Sequence, residues 1–302
     1  MPKPAAKFML ILVAILGTSA ALAAQRTFDK RLDAPAGGRL TFDADVGSVA
    51  VTGADVSQVS VHADLEGSDS FLNRIHISAE QTSSGVTIQL HMDHDSWWDM
   101  LVIGSNRVDF TVQVPRNYPV NLHTAGGSLD VRNLNAWVHG KTSGGGIHVQ
   151  DVVGTVDVHT SGGGVSAEHL NGAATLSTSG GSIDASDSTG DLDVNTSGGG
   201  IRILNDDGKI DAHTSGGSIR AELHTNDGIS LETSGGSITL MLPQSAHGTI
   251  DAETSGGGVS SDLPVTTTGT ANGSYLHGTI GGGGPPIYLR TSGGSIHIAP
   301  GS

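Results

Sequence analysis

Two histidines and two aspartates stand close together in the first third of the chain and could bind a divalent metal. They are His91, Asp93, His94 and Asp95, within the stretch HMDHD. Imidazole nitrogen and carboxylate oxygen are ligands of zinc and other divalent ions. The alternation of a strand puts His91 and Asp93 on one face, whereas His94 falls near a turn. The spacing matches no established metal site, so the alternative is a polar strand end followed by a solvated loop.

Two adjacent tryptophans follow this stretch. Trp97 and Trp98 are two of only three tryptophans in the chain, and they lie in a predicted loop. Exposed tryptophans can stack on sugar rings or lie at an interface. The alternative is that one of them covers the N-terminal end of the core. We therefore treat both as candidate ligand-binding residues.

No arrangement of catalytic residues accompanies these candidates. Polysaccharide-cleaving β-helices need clustered acidic residues with a basic or metal partner in a groove, whereas single aspartates here are dispersed over different predicted faces. The glycine pairs lack the Gly-Lys-Ser/Thr of a phosphate-binding loop. We predict no catalytic residue and no cofactor, and a polysaccharide-degrading enzyme stays as the alternative function.

One short phrase is repeated along the chain, and it indicates which secondary-structure elements position all these residues. It reads Thr-Ser-Gly-Gly, once Thr-Ala-Gly-Gly, and its threonines are 18, 18, 18, 18, 18, 19, 21 and 37 residues apart. A fixed short period indicates a repeat architecture. The last interval has the length of two repeats, which we interpret as one coil whose phrase has been lost. The nine threonines are Thr124, Thr142, Thr160, Thr178, Thr196, Thr214, Thr233, Thr254 and Thr291.

Apolar and polar residues alternate on both sides of each phrase. Val156 and Val158 precede Thr160, for example, and Ile183 and Ala185 follow Thr178. Period-two alternation predicts two short strands per repeat, each with one buried face. Such strands form a core only when successive repeats stack about 4.8 Å apart. The sequence therefore predicts an all-β, parallel β-solenoid with coils of about 18 residues, a single-stranded β-helix that the crossover rule makes right-handed.

The glycine pair of each phrase is expected to make the bend between the two strands. Glycine adopts positive φ without steric cost, and the threonine beside it should align as an inward ladder at the bend. If Gly180 holds positive φ, then Gly180→Val should strain the bend.

Three segments are expected along the chain. Residues 1–24 have the form of a signal peptide, with Lys3 and Lys7 before an apolar core and a small-x-small cleavage pattern at its end. Residues 25–120 alternate without repeating, and predict an N-terminal β segment that caps the solenoid and protects its open edge. Residues 121–302 form the solenoid. Export through a cleavable leader implies the periplasm, the cell surface or the medium.

The amino-acid composition limits the classes of partner that the protein is expected to bind. The formal net charge is −15 and the chain has no cysteine, so disulfides contribute nothing to stability. A strongly acidic surface disfavours nucleic acid, whose phosphates need Lys and Arg. No later apolar stretch is long enough to cross a bilayer. A glycan or another envelope protein is the expected partner, and the oligomeric state stays open.

The chain resembles a bacterial β-strand-repeat family of unknown function whose members are provisionally described as adhesins. The resemblance lies in the early phrase VGSVAVTG at 46–53, in the VQVP lead at 112–115, and in the closing stretch at 276–296. It implies the solenoid fold and an exported, non-catalytic structural or binding module of the cell envelope. Some relatives are similar to envelope-stress modules, which gives a second alternative, an envelope-stress scaffold.

Overall fold

A computed structural model describes residues 24–93, 106–267 and 273–301. These residues form 27 strands in two sheets and a single short helix, α1 (Asp69–Leu72). The predicted all-β solenoid is therefore confirmed. No helix in the described ranges is long and apolar enough to span a membrane.

The N-terminal part supplies one end of both sheets. Its strands are β1 (Ala24–Asp33), β2 (Arg39–Ala44), β3 (Ser48–Ala54), β4 (Gln58–Gly67), β5 (Ile75–Thr82), β6 (Gly85–Met92) and β7 (Arg107–Pro115). All except β1 follow the alternation predicted from the sequence, and β5 and β6 form an antiparallel hairpin across Ser83 and Ser84. The coil made by β2 and β3 stacks directly on the regular array, and β6 and β7 stack outside it.

The regular array contributes one strand per coil to each sheet. Its strands are β8 (Val120–Thr124), β9 (Leu129–Leu134), β10 (Val138–Thr142), β11 (Ile147–Val153), β12 (Val156–Thr160), β13 (Val165–Asn171), β14 (Ala174–Thr178), β15 (Ile183–Ser186), β16 (Leu192–Thr196), β17 (Ile201–Asp206), β18 (Ile210–Thr214), β19 (Ile219–Leu223), β20 (Ile229–Thr233) and β21 (Ile238–Leu242). Pairing is parallel, and equivalent residues align from coil to coil: Thr142 pairs with Thr160, and Ile183 with Ile201.

The C-terminal coils are not stacked in sequence order. The strands are β22 (Gly248–Thr254), β23 (Val259–Ser261), β24 (Thr266–Thr267), β25 (Tyr275–Ile280), β26 (Pro286–Thr291) and β27 (Ile296–Pro300). The last coil, β26 and β27, lies between the coil of β20 and β21 and the coil of β22 and β23. The long interval between Thr254 and Thr291 is therefore not a coil with a lost phrase, because β24 and β25 pair antiparallel there and cover the end of the sheet.

The core runs between the two sheets along the whole array. The predicted inward positions of the repeats hold buried Val, Ile, Leu or Ala, except for Gly140 in one coil and the half-buried Val259 and Ser261 in another. The N-terminal end holds larger side chains, among them Phe42 and Phe110, whose rings meet edge to face at 4.9 Å. Burial of these apolar faces drives the stacking.

The threonine of each phrase is buried and links neighbouring coils. Each of the nine donates its Oγ1 hydrogen to the carbonyl oxygen of a glycine in one neighbouring coil, which is the preceding coil in the regular array, at 2.7–2.8 Å. In most coils the same oxygen accepts the amide of the glycine three residues later. The expected inward threonine ladder is therefore present, and it satisfies backbone groups of two coils at once.

The glycine pair is required for a different reason from the one expected. Neither Gly180 nor Gly181 has positive φ, so the expectation for Gly180 was wrong. A Cβ on Gly181 would overlap the carbonyl of Gly163 in the neighbouring coil, whereas one on Gly180 would lie at an ordinary 3.4 Å from Gly162 O. The second glycine of the phrase is therefore fixed by close stacking of backbones.

Positive φ occurs at the opposite corner of the coil. Gly154, Gly172, Gly190 and Gly208 have φ between 113° and 145°, where other residues are strained. Near the end of the strand before this corner, one non-glycine residue lies in the left-handed region, and Asn, Asp and His are the types that tolerate it best. The residues are Asn133, Asp151, His169, Asp187 and Asn205.

The paired glycines provide a matched test of the stacking argument. We expect Gly181→Ala to lower the free energy of unfolding by about 1–3 kcal/mol or more, because two backbones must separate. Gly180→Ala should stay within about 1 kcal/mol of wild type. Thermal and urea unfolding of both variants measure this, and equal losses in the two would contradict the assigned roles.

The threonine ladder is tested on one strand of the array. Thr178→Val keeps the shape but leaves the Gly163 carbonyl and the Gly181 amide without their partner, so we expect a loss of about 1–3 kcal/mol. Thr178→Ser should recover most of it. Thr175→Val on the same strand, with an exposed side chain, is the control. A Thr178→Val variant as stable as this control would show that the hydroxyl contributes nothing.

Candidate functional site

Two of the predicted metal-binding residues, His91 and Asp93, lie at the N-terminal end of the larger sheet. His91 is on β6 and Asp93 follows it directly. His91 Nδ1 lies 2.8 Å from Asp45 Oδ2 and its Nε2 lies 3.9 Å from Asp93 Oδ1. Asp93 also pairs with His76 Nε2 at 2.9 Å. The structure therefore brings His91 and Asp93 together, with one partner from β5 and one from the end of β2.

These contacts form a network of histidine and carboxylate side chains on an exposed surface. One Asp45 oxygen serves both His91 and the Met92 amide, at 2.9 Å from the latter. Within the described ranges, no three His, Cys, Asp or Glu side chains are grouped in a way that could hold a metal ion. His94 and Asp95 lie outside the described residues. The metal site at His91 and its neighbours stays a prediction.

The two predicted ligand-binding tryptophans, Trp97 and Trp98, also lie outside the described residues. The third, Trp137, precedes β10 at the corner of a coil and is 39% exposed. Its backbone carbonyl accepts the amide of Val120. A large exposed aromatic at a solenoid corner was not singled out from the sequence, although the polar neighbours Asn135 and His139 mark its outward phase.

A second histidine is clamped by carboxylates. His62 on β4 lies 2.8 Å from Asp29 Oδ1 and 3.1 Å from Asp64 Oδ2. The hydrogen bond to Asp29 is the main cause that raises the pKa of His62 above 6.5. A raised pKa contributes stability that is present at low pH and is lost as pH rises through the folded value. Because the pair is exposed, this contribution is small.

The array also buries one carboxylate. Asp206 is 2% exposed and occupies an inward position where Leu170 stands two coils earlier. Its Oδ1 accepts the Ser188 amide at 2.7 Å, and its Oδ2 has no hydrogen-bond partner among the described residues. Removal from water is the main cause that raises the pKa of Asp206 to about 6. Adding 18 to Leu170 twice would have located Ser188 and Asp206 from the sequence.

The buried carboxylate makes stability depend on pH. Because the pKa of Asp206 is raised from 3.8 to about 6, its stabilising contribution is complete below about pH 4 and is lost as pH rises through 6. Asp206→Asn keeps the acceptor for Ser188 and stays neutral. We expect the variant to become more stable than wild type by about 3 kcal/mol between pH 4 and pH 7.

Urea unfolding at half-unit pH steps measures this difference. Asp184→Asn changes an exposed aspartate of the same array and should track wild type throughout. A constant difference between Asp206→Asn and wild type across the range would contradict a raised pKa.

Comparison with known proteins gives a family and several similar folds. The profile of the Toastrack DUF4097 family matches residues 38–299, which spans β2 to β27. No curated protein matches the chain significantly.

Three solved structures illustrate the likeness. A protein of Bacteroides fragilis that is provisionally described as an adhesin is 14% identical in sequence to this chain. The match covers 90% of this chain and 97% of that chain, with a TM-score of 0.45. One of Parabacteroides distasonis is 10% identical, with 90% and 97% covered and a TM-score of 0.38. A protein provisionally described as a cell adhesion protein of Clostridium sporogenes is 14% identical, with 92% and 100% covered and a TM-score of 0.28.

Proposed function

The chain belongs to the Toastrack DUF4097 family, a domain family of unknown function, and from its geometry we propose that it is a non-catalytic binding module of the bacterial cell envelope. It is exported through a cleavable leader and presents a rigid polar surface to a glycan or to another envelope protein. No step of the proposal requires a cofactor or a catalytic residue.

The observation that carries this proposal is the continuous hydrogen-bonded ladder. Nine buried threonines link coils that span the two sheets, and the larger sheet has 14 strands. At about 4.8 Å per strand this gives a stiff face about 60 Å long. Outward side chains are held in rows at fixed spacing, so little conformational entropy is lost when a partner binds.

Export has its own support and its own test. The support lies in the sequence of residues 1–24, where Lys3 and Lys7 precede an apolar core that ends in a small-x-small cleavage pattern. We expect the mature protein to start at Ala24 or Gln25 and to be found outside the cytoplasm. Cell fractionation with mass measurement of the mature chain checks this, and Leu12→Arg, which puts a charge in the apolar core of the leader, should hold the full-length chain in the cytoplasm. A full-length wild-type chain in the cytoplasm would remove the envelope function.

Binding is tested separately from export. Purified mature protein is applied to a glycan array and used in pull-downs from envelope extracts, where we expect retention of a glycan or of an envelope protein. Incubation with polysaccharides, followed by measurement of new reducing ends, tests the alternative of a degrading enzyme. New reducing ends would overturn the non-catalytic function.

A further inference from the structure

The outer face at the C-terminal end of the larger sheet carries a dense group of aromatic and charged side chains. Three adjacent strands, β26, β22 and β25, contribute two outward residues each. Their register places the side chains in two rows of three. One row is Tyr288, Asp251 and His277, and the other is Arg290, Glu253 and Tyr275. We call these six residues the C-terminal patch.

The C-terminal patch differs from the rest of this face. In the regular array the same outward positions hold polar side chains, from Thr175 and Asp193 to His139 and His213, and none of them is Tyr, Trp or Phe. Two of the three tyrosines of the chain lie in the patch, and Tyr288 is one of the few large exposed aromatic side chains within the described ranges. Aromatic rings on an otherwise polar surface indicate contact with a ligand.

Arg290 holds the patch in one arrangement. Its guanidinium lies over the Tyr288 ring, 4.2 Å from the centroid. It donates to Asp251 Oδ2 at 3.0 Å and to the Asp251 carbonyl at 3.2 Å, and its Nε lies 3.6 Å from Glu253. The arginine is half-buried by these contacts. The side chains around it are therefore ordered before any ligand arrives, which lowers the entropy cost of binding.

Two polar atoms of the patch lack partners. Asp251 Oδ1 and His277 Nδ1 are both covered by neighbouring atoms and make no hydrogen bond among the described residues. Asp251 and His277 face each other across β22 and β25. Because neighbouring atoms cover both, a ligand hydroxyl is bound by the more exposed groups of the patch, such as the Glu253 carboxylate, which is 55% exposed.

The patch therefore offers aromatic faces for C–H groups beside acceptors and donors for hydroxyl groups. Tyr275 and His277 present parallel rings, 3° apart in plane, with centroids 6.4 Å apart. Carboxylate, guanidinium and imidazole groups stand in the same two rows. A pyranose ring has apolar C–H faces, which pack on aromatic rings, and hydroxyl edges, which bind polar groups. Binding sites for small ligands generally combine apolar surface with a few placed polar groups.

The negative charge of the patch and of the whole chain determines which class of saccharide it favours. The two carboxylates of the patch outnumber Arg290, and Glu232 lies next to Arg290 in the register of β20 and β26. The whole chain carries −15, so an anionic polymer is repelled. We propose that the C-terminal patch binds an uncharged saccharide, which rests on the proposed binding function and names its site and ligand class.

Isothermal titration of the intact mature protein with chitotetraose, cellotetraose and mannotetraose tests this, with tetragalacturonate as the anionic probe. We expect at least one uncharged tetrasaccharide to bind and tetragalacturonate not to bind. Tyr288→Ala and Tyr275→Ala should each weaken the affinity about tenfold. Thr175→Val, an outward change on the same sheet away from the patch, should leave it unchanged. Thermal melting confirms that each variant is folded.

A measurement on the wild-type protein tests the same site without depending on whether the variants fold. Nitration of Tyr275 and Tyr288 by tetranitromethane, followed by peptide mass analysis, should slow when the bound tetrasaccharide is present. Unchanged nitration of both tyrosines under saturating saccharide would place binding elsewhere and overturn the inference.

The remaining outcomes separate this inference from the proposed function. Binding of none of the three uncharged probes, stronger binding of tetragalacturonate, or affinities unchanged in both tyrosine variants would each overturn the saccharide site. If an envelope protein is retained in the pull-down while no saccharide binds, the patch inference fails and the binding module stands. Failure of export would instead remove the proposed envelope function.

Discussion

The close approach of backbones at the Thr-Ser-Gly-Gly bend is the constraint on which the rest of the structure depends. Gly181 stacks so near Gly163 that a Cβ would overlap the neighbouring carbonyl. The threonine hydroxyl then completes the hydrogen bonds of the two coils it joins. Each repeat thus requires a glycine of small size and a threonine with a buried hydroxyl. The two residues hold neighbouring coils together in a chain that has no cysteine to form disulfides.

A stack of coils has an open sheet edge at each end. At both ends of this array, segments outside the regular repeat pattern cover that edge. At the C-terminal end the last coil, β26 and β27, inserts between the two coils that precede it in sequence, and the antiparallel strand β25 covers the outer one. At the N-terminal end Arg26 and Lys30 of β1 donate to the carbonyls of Ile75 and Ala79 on β5. These contacts occupy backbone acceptors that would otherwise be free to pair with another chain.

Because the inward residues are committed to packing, ligand contacts must come from outward side chains. The sequence showed His91 and Asp93 as neighbours, since they are two residues apart on one strand. Their partners, Asp45 and His76, come from other strands, and local spacing carries no information about them. The C-terminal patch was missed for the same reason, because its six residues come from three strands that are adjacent only after the last coil inserts.

The sequence alone determined the period, the two-strand coil, the inward aliphatic positions and the buried threonine. All of these follow from local alternation, since a strand places successive side chains on opposite faces. Tertiary structure alone decided the order of the end coils and the steric role of Gly181. Nearly identical repeats offer many equivalent partners, so pairing is chosen by the ends of the array and by the space between stacked backbones.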